Sequence, residues 1–143
     1  MSKREYPEFP RVGVGAIVIK DGKVLMVKRA APPNKNLWAI PGGMLELGET
    51  LQEGAEREIF EETNIRIRAG KPIFTFDLLE RDNEGRVYFH FLIVDLEAEY
   101  LAGEIKAASD ALDVRWVTPE ECQGLTATSN TIRMLKELGF ICS

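Results

Sequence analysis

At 143 residues, with 45% apolar and 29% charged side chains, the chain has ordinary globular composition, enough for one real core and too short for two comfortable domains. Its formal charge of −5, from 23 acidic against 18 basic side chains, disfavours tight non-specific nucleic-acid binding, which needs Lys and Arg to neutralise phosphates. No stretch approaches the roughly 20 apolar residues of a membrane-spanning helix, and residues 1–7 lack the apolar run of a secretory signal. Cys122 and Cys142 have neither metal-finger nor CxxC spacing and read as idle thiols in a reducing compartment, so a cytoplasmic protein is expected.

In chain order, residues 1–10 form a charged lead-in broken by Pro7 and Pro10. Residues 12–19 and 23–28 are β-rich runs joined by Asp21-Gly22, a strong hairpin signal. A loop over 30–36 leads to a short apolar piece, 37–40, stopped by Pro41-Gly42-Gly43. The long helix signal covers 51–63, with Thr50 as N-cap, Glu53 completing a capping box, and Asn64 as a left-handed stop. Strands are expected at 73–79 and 87–96 across Asp82–Gly85, the second apolar on both faces as in an interior strand. A last strand at 114–117 precedes a brief helix opened by Thr118-Pro119 and ended by Gly124. Ser129 or a neighbour then caps a terminal helix with Ile132, Leu135 and Leu138 on one stripe and Gly139 as its stop. Together these imply one α/β domain over residues 1–143, a mixed sheet with helices on its faces.

The helix at 51–63 is the informative element. At about 100° per residue from Leu51, Ala55 falls near 40° and Ile59 near 80°, which marks the buried stripe. Glu62 lands at about 20°, Glu58 at about 340° and Glu61 at about 280°, within or beside that stripe. Buried carboxylates without partners cost several kcal/mol or take up a proton. Clustered ones are tolerated chiefly where a hard divalent cation is supplied, because such ions take oxygen ligands. A solvated acidic face is the alternative, and the shared stripe with Leu51 and Ile59 argues against it.

At these residues the sequence resembles the Nudix hydrolase signature: Gly, five residues, Glu, seven residues, Arg-Glu, an aliphatic residue, any residue, Glu-Glu, any residue, Gly and an aliphatic residue. Here it reads Gly43, Glu49, Arg57-Glu58-Ile59, Glu61-Glu62, then Asn64 and Ile65, so the box occupies 43–65 and every fixed position matches except the last glycine. Asn64 stands where a left-handed cap is needed, and Asn tolerates that conformation after Gly. The strand ending at Arg29, the Leu37–Gly43 run and the stretch from Asp110 to Val117 are also similar to this family. Gly13-Val-Gly15 reads only as strand glycines.

The resemblance implies an α/β/α sandwich around a mixed sheet and hydrolysis of a diphosphate linkage in a small nucleotide. It implies that Glu58, Glu61 and Glu62 hold Mg²⁺ or Mn²⁺, with a backbone carbonyl at Gly42 or Gly43. Arg57 would orient a carboxylate, Glu49 or Glu58. The general base would be an acid outside the box, with Glu104, Asp110 and Asp113 as candidates, Asp110 favoured and Glu58 the fallback. Its partners would be a small nucleotide substrate and no membrane, with nucleic acid disfavoured and a homodimer left open.

Other residues carry two readings each. Arg29 suits a bidentate phosphate clamp or a surface salt bridge. Trp38 fits packing better than base stacking, and His90 fits a strand position better than a substrate contact. The substrate is open between ADP-ribose-like compounds, which are favoured, and nucleoside triphosphates, because Glu80-Arg81 stand where ADP-ribose enzymes often carry proline. A catalytically idle nucleotide sensor would have lost box carboxylates. An isopentenyl diphosphate isomerase would need a cysteine in the pocket, and Cys122 and Cys142 come late in the chain.

Overall fold

The computed structural model describes residues 4–142; residues 1–3 of the charged lead-in and Ser143 lie outside it. The elements run β1 (Arg11–Lys20), β2 (Lys23–Arg29), β3 (Trp38–Ala39), β4 (Gly42–Met44), α1 (Leu51–Thr63), β5 (Arg66–Arg81), β6 (Val87–Ala102), β7 (Ala111–Val117), α2 (Pro119–Cys122) and α3 (Ser129–Glu137). No helix is long and apolar enough to cross a membrane among these residues.

The strands form a mixed sheet in the order β3-β2-β1-β6-β5, with β4 also on β1 and β7 on β2. The β1–β6 pair is parallel, from Arg11↔Phe91 to Val18↔Ala98, and the other pairs are antiparallel. β1 pairs with β2 only at its end, Ile19↔Val24 and Lys20↔Lys23, while its first half pairs with β4 instead. The sheet therefore splays between β1 and β2, and the β4 loop enters the gap.

Two apolar layers sandwich this sheet. On one face Ala55 and Ile59 of α1 pack on Val14, Ala16, Val94 and Leu96. On the other, Cys122, Met134 and Leu135 of α2 and α3 pack on Ile17, Met26 and Trp38. The architecture is the expected α/β/α sandwich, and Trp38 is an anchor of its second core, with Arg115 over its ring at 4.9 Å.

Several boundaries differ from the sequence reading. β5 and β6 are one long hairpin, because register shifts around Pro72 let the ladder continue past residues whose charges break the alternation. The Pro41-Gly42-Gly43 stop contains a strand: Gly42 and Gly43 pair with Gly15 and Val14, and a Cβ at Gly42 would run into the Val14 carbonyl. The brief helix ends at Cys122 with Gln123 as its cap, before Gly124. Thr128 caps α3, bonding the Thr131 amide and hydroxyl, so the buried stripe is Thr131, Met134 and Leu135 while Leu138 is exposed.

α1 has the ends expected of it. Thr50 accepts from the Glu53 amide, Glu53 reaches back to the Thr50 amide, and Asn64 sits at φ 67° with its amide on the Phe60 carbonyl. Removing the cap oxygen in Thr50→Ala should cost about 1 kcal/mol of unfolding free energy. Urea denaturation checks this, and an unchanged midpoint would show that the cap contributes nothing to α1.

Candidate active site

The α1 wheel holds in three dimensions. Gly54, Ala55, Ile59, Glu62 and Thr63 are buried, and Glu62 is only 5% exposed. Its carboxylate accepts from the Gly42 amide at 3.3 Å, which ties the helix to β4. Glu58 lies against the Gly43 backbone so closely that a Cβ there would collide with its carboxylate, which explains a glycine at that position. Glu61 is half-exposed.

Arg57 gathers the acids around it. Its Nε and Nη2 donate to Glu49 at 2.6 and 2.9 Å, Nη2 also to the Met44 carbonyl at 2.9 Å, and Nη1 to Glu58 and Glu61 at 2.9 and 3.0 Å. The bond to Arg57 holds the Glu49 carboxyl below its usual range. As placed, Glu58 and Glu61 turn to this guanidinium while Glu62 turns to Gly42. Among the described residues, no three acidic, histidine or cysteine side chains converge as a ready-made metal site.

The electrostatics nonetheless favour a cation. Burial, then the Glu58 charge, pushes the Glu62 carboxyl up to about 8, against smaller opposing effects of the Gly42 amide and Arg29. Burial also raises Glu58, with Glu61 and Asp110 adding to the rise and Arg57 opposing it. Oxygen donors that resist ionising for want of positive charge suit a hard divalent ion, so the residues fit the group that the sequence implies.

A cavity opens beside Glu62 and receives Arg29, Gly42, Gly43 and Asp110 in its wall. Arg29 is no surface salt bridge: it is part-buried and donates to the Pro33 and Ala31 carbonyls at 2.8 and 3.4 Å. Burial lowers its pKa, partly offset by Glu62 and Asp110. Of the three loop acids, Asp110 alone lines the cavity, and it also meets Arg4 at 3.2 Å. Asp113 is taken up by its own strand, through the Val114 amide and Arg115. Glu104 offers its backbone carbonyl to Asn64 and does not line the cavity. His90 sits opposite Leu79 in β6, away from it.

The cavity also contains residues that the sequence reading passed over, Phe76 and Leu78 of β5 and Phe91, Ile93 and Asp95 of β6, and the Gly13-Gly15 strip of β1, read only as strand glycines. One signal for them was available, an acid set in the apolar run Phe91-Leu-Ile-Val-Asp95-Leu96.

The site is thus a glycine loop and an acid-bearing helix at the mouth of a cavity in an α/β/α sandwich. Comparison with known proteins specifies the family. The NUDIX domain profile matches residues 9–138, and the chain belongs to that family. It is 36% identical over 107 residues to an ADP-ribose pyrophosphatase of Methanocaldococcus jannaschii, covering 75% of this chain but only 61% of that protein. It is 30% identical over 133 residues to a MutT-like protein of Streptomyces ambofaciens, covering 92% and 79%. Among solved structures, a bifunctional NMN adenylyltransferase/ADP ribose pyrophosphatase of Francisella tularensis, complexed with AMP and Mn ion, superposes with a TM-score of 0.70 at 31% identity. That match covers 92% of this chain and 42% of the other.

The raised Glu62 carboxyl sets a pH dependence for the metal-free protein. The folded state holds this proton up to about pH 8, whereas the unfolded chain releases it near 4.5. The folded state therefore binds more protons in that window, and its stability falls as pH rises from 4.5 toward 8, by about 5 kcal/mol in total. In chelator, Glu62→Gln should make the measured fall clearly shallower, leaving the share of the other raised acids, Glu58 and Asp95, as read from denaturation midpoints at several pH values. An equally steep fall in the variant would place the burden elsewhere.

Proposed function

We propose that this chain hydrolyses the diphosphate linkage of a nucleoside diphosphate derivative of the ADP-ribose type, with Mg²⁺ or Mn²⁺ as cofactor, in the cytoplasm. The observation that carries the reading is the buried Glu62 carboxyl opening on the same cavity as Arg29 and Asp110. The names of the Methanocaldococcus and Francisella relatives support the substrate class.

Glu58, Glu61 and Glu62 would hold the cation, with a carbonyl of Gly42 or Gly43. When bound, the cation offsets phosphate charge and makes a water more acidic. Arg57 fixes the direction of Glu49 and Glu58 and keeps the loop from 44 to 49 against α1. Arg29, its guanidinium buried and already braced by two carbonyls, faces the diphosphate as a donor of fixed orientation. Asp110 takes the proton of the attacking water, with Glu58 as the alternative base. The water oxygen bonds to phosphorus and the bridging P–O bond breaks. The products are a nucleoside monophosphate and the other phosphorylated half.

Glu80-Arg81 and the MutT-like relative favour a second reading, a nucleoside triphosphate pyrophosphohydrolase. The products separate the two: AMP with a sugar phosphate in one case, a nucleoside monophosphate with pyrophosphate in the other. A screen of nucleoside diphosphate sugars, dinucleotides and triphosphates should find fastest turnover on ADP-ribose.

On the best substrate, Glu58→Gln and Glu62→Gln should each lower kcat by orders of magnitude with the circular dichroism spectrum unchanged. Parental turnover in either variant would remove that carboxylate from the machinery. EDTA should abolish activity and Mg²⁺ or Mn²⁺ restore it, whereas undiminished turnover in fully chelated protein would contradict the cofactor assignment.

A further inference from the structure

Asp95 has no role in the reaction above, yet it is the other buried acid of the cavity. It is 3% exposed, in the middle of β6, between Gly15 of β1 and Phe74 of β5. Among the described residues no hydrogen bond or ion pair reaches its carboxyl, and it lines the cavity. Its only electrostatic influence is burial, which pushes the carboxyl up to about 7. An uncompensated acid in a strand interior is costly, and a partner that arrives with a ligand would remove that cost.

The surroundings describe that ligand. Successive residues of a strand point to opposite sides, so Phe91, Ile93 and Asp95 share one face of β6. Their β5 partners Leu78, Phe76 and Phe74 lie beside them. On the β1 side, Arg11 stands opposite Phe91, but the two positions opposite Ile93 and Asp95 carry no side chain: a Cβ at Gly13 would come within 2.6 Å of the Ile93 Cδ1, and one at Gly15 within 2.7 Å of the Asp95 Oδ1. The result is an apolar slot over bare backbone, suited to a flat ring, with a single carboxyl at its end. Gly42 pairs with Gly15 and Gly15 with Asp95, so Asp95 lies two strands, roughly 10 Å, across the sheet from β4. That separation matches the reach of a nucleotide from the edge of its base to its phosphate.

We infer that Asp95 is a specificity-determining residue that hydrogen-bonds the amino-bearing edge of a nucleobase, adenine in type, held in the slot formed by β1, β5 and β6. A carboxyl that is partly protonated near neutrality offers an O–H and an acceptor oxygen side by side. That pair complements a ring nitrogen next to an exocyclic amine. The inference rests on the proposed nucleotide substrate and assigns the recognition of its base.

Calorimetric titration with AMP and with purine riboside 5′-monophosphate, which lacks only the 6-amino group, tests it. The wild-type chain should bind AMP about tenfold more tightly, the value of one hydrogen bond to a charged or strongly polar acceptor. Asp95→Leu should bring the ratio to about one. Asp95→Asn, which keeps a donor and an acceptor at the same place, should retain the preference and, without ligand at pH 8, melt higher than the wild type. Equal wild-type binding of the two nucleotides, no binding of AMP, or a preference that survives Asp95→Leu would each overturn the inference. ADP-ribose hydrolysis is read separately: a preserved AMP preference without hydrolysis would refute the proposed reaction and uphold the base slot.

Discussion

The guanidinium of Arg57 is the element on which the acidic end of the molecule depends. Glu49, Glu58 and Glu61 all accept from it, and the Met44 carbonyl closes the set. Arginine suits this position because its planar fork presents several donors in fixed directions, whereas a lysine ammonium would satisfy fewer acceptors and hold none in plane. The clamp joins the end of β4 to the middle of α1, beside the Gly42–Glu62 bond and the packing of Leu45 on the helix. It does not reach Glu62, whose carboxylate has the Gly42 amide alone. The acid without an ion-pair partner thus lies at the buried end, facing the cavity, where burial makes it hold its proton.

Glycine has a matching part on the strand side. Gly43 leaves room for the Glu58 carboxylate on one side of the sheet, and Gly15 leaves room for Asp95 on the other. The two strands that carry these glycines pair with one another, so a narrow ribbon of backbone separates the acid helix from the apolar slot. A side chain on that ribbon would fill one compartment or the other. The glycines are therefore structural conditions for both halves of the cavity, and they need no unusual backbone angle to act in this way.

What could be read from the sequence follows from where the information is local. The α1 caps, the hairpin at Asp21-Gly22 and the buried position of Glu62 depend on helix period, turn chemistry and capping, which lie within a few residues of each other. The rest depends on partners distant in the chain. Gly42 and Gly43 form a strand only because β1 is there to pair with them, and the bulges near Pro72 let β5 run twice its expected length. In α3 the Thr128–Thr131 hydroxyl pair turns the helix so that Met134 is buried and Leu138 is not, a rotation that hydrophobicity alone does not specify. Asp95 was hidden for a related reason. An acid in an apolar strand signals a site only once the splay between β1 and β2 is known to open a cavity there.

The arrangement also constrains how a substrate can enter. A diphosphate arriving alone would meet Glu62 and Asp110 on the cavity wall; of the two arginines there, Arg4 is already paired with Asp110, and two donors of Arg29 are occupied by the Pro33 and Ala31 carbonyls. Like charges at close range in a partly desolvated cleft repel more strongly than they do in water. The phosphate end is thus unfavourable for an anion without a counter-cation, while the base end can be filled by an uncharged ring at no such penalty. For the proposed substrate, the physical order that follows would be recognition of the base over the glycine strip, with the diphosphate settling against the acids only when positive charge accompanies it. The same asymmetry gives the two buried acids separate places in the proposed complex: each weakens the empty protein, and each would be compensated by a different half of the ligand.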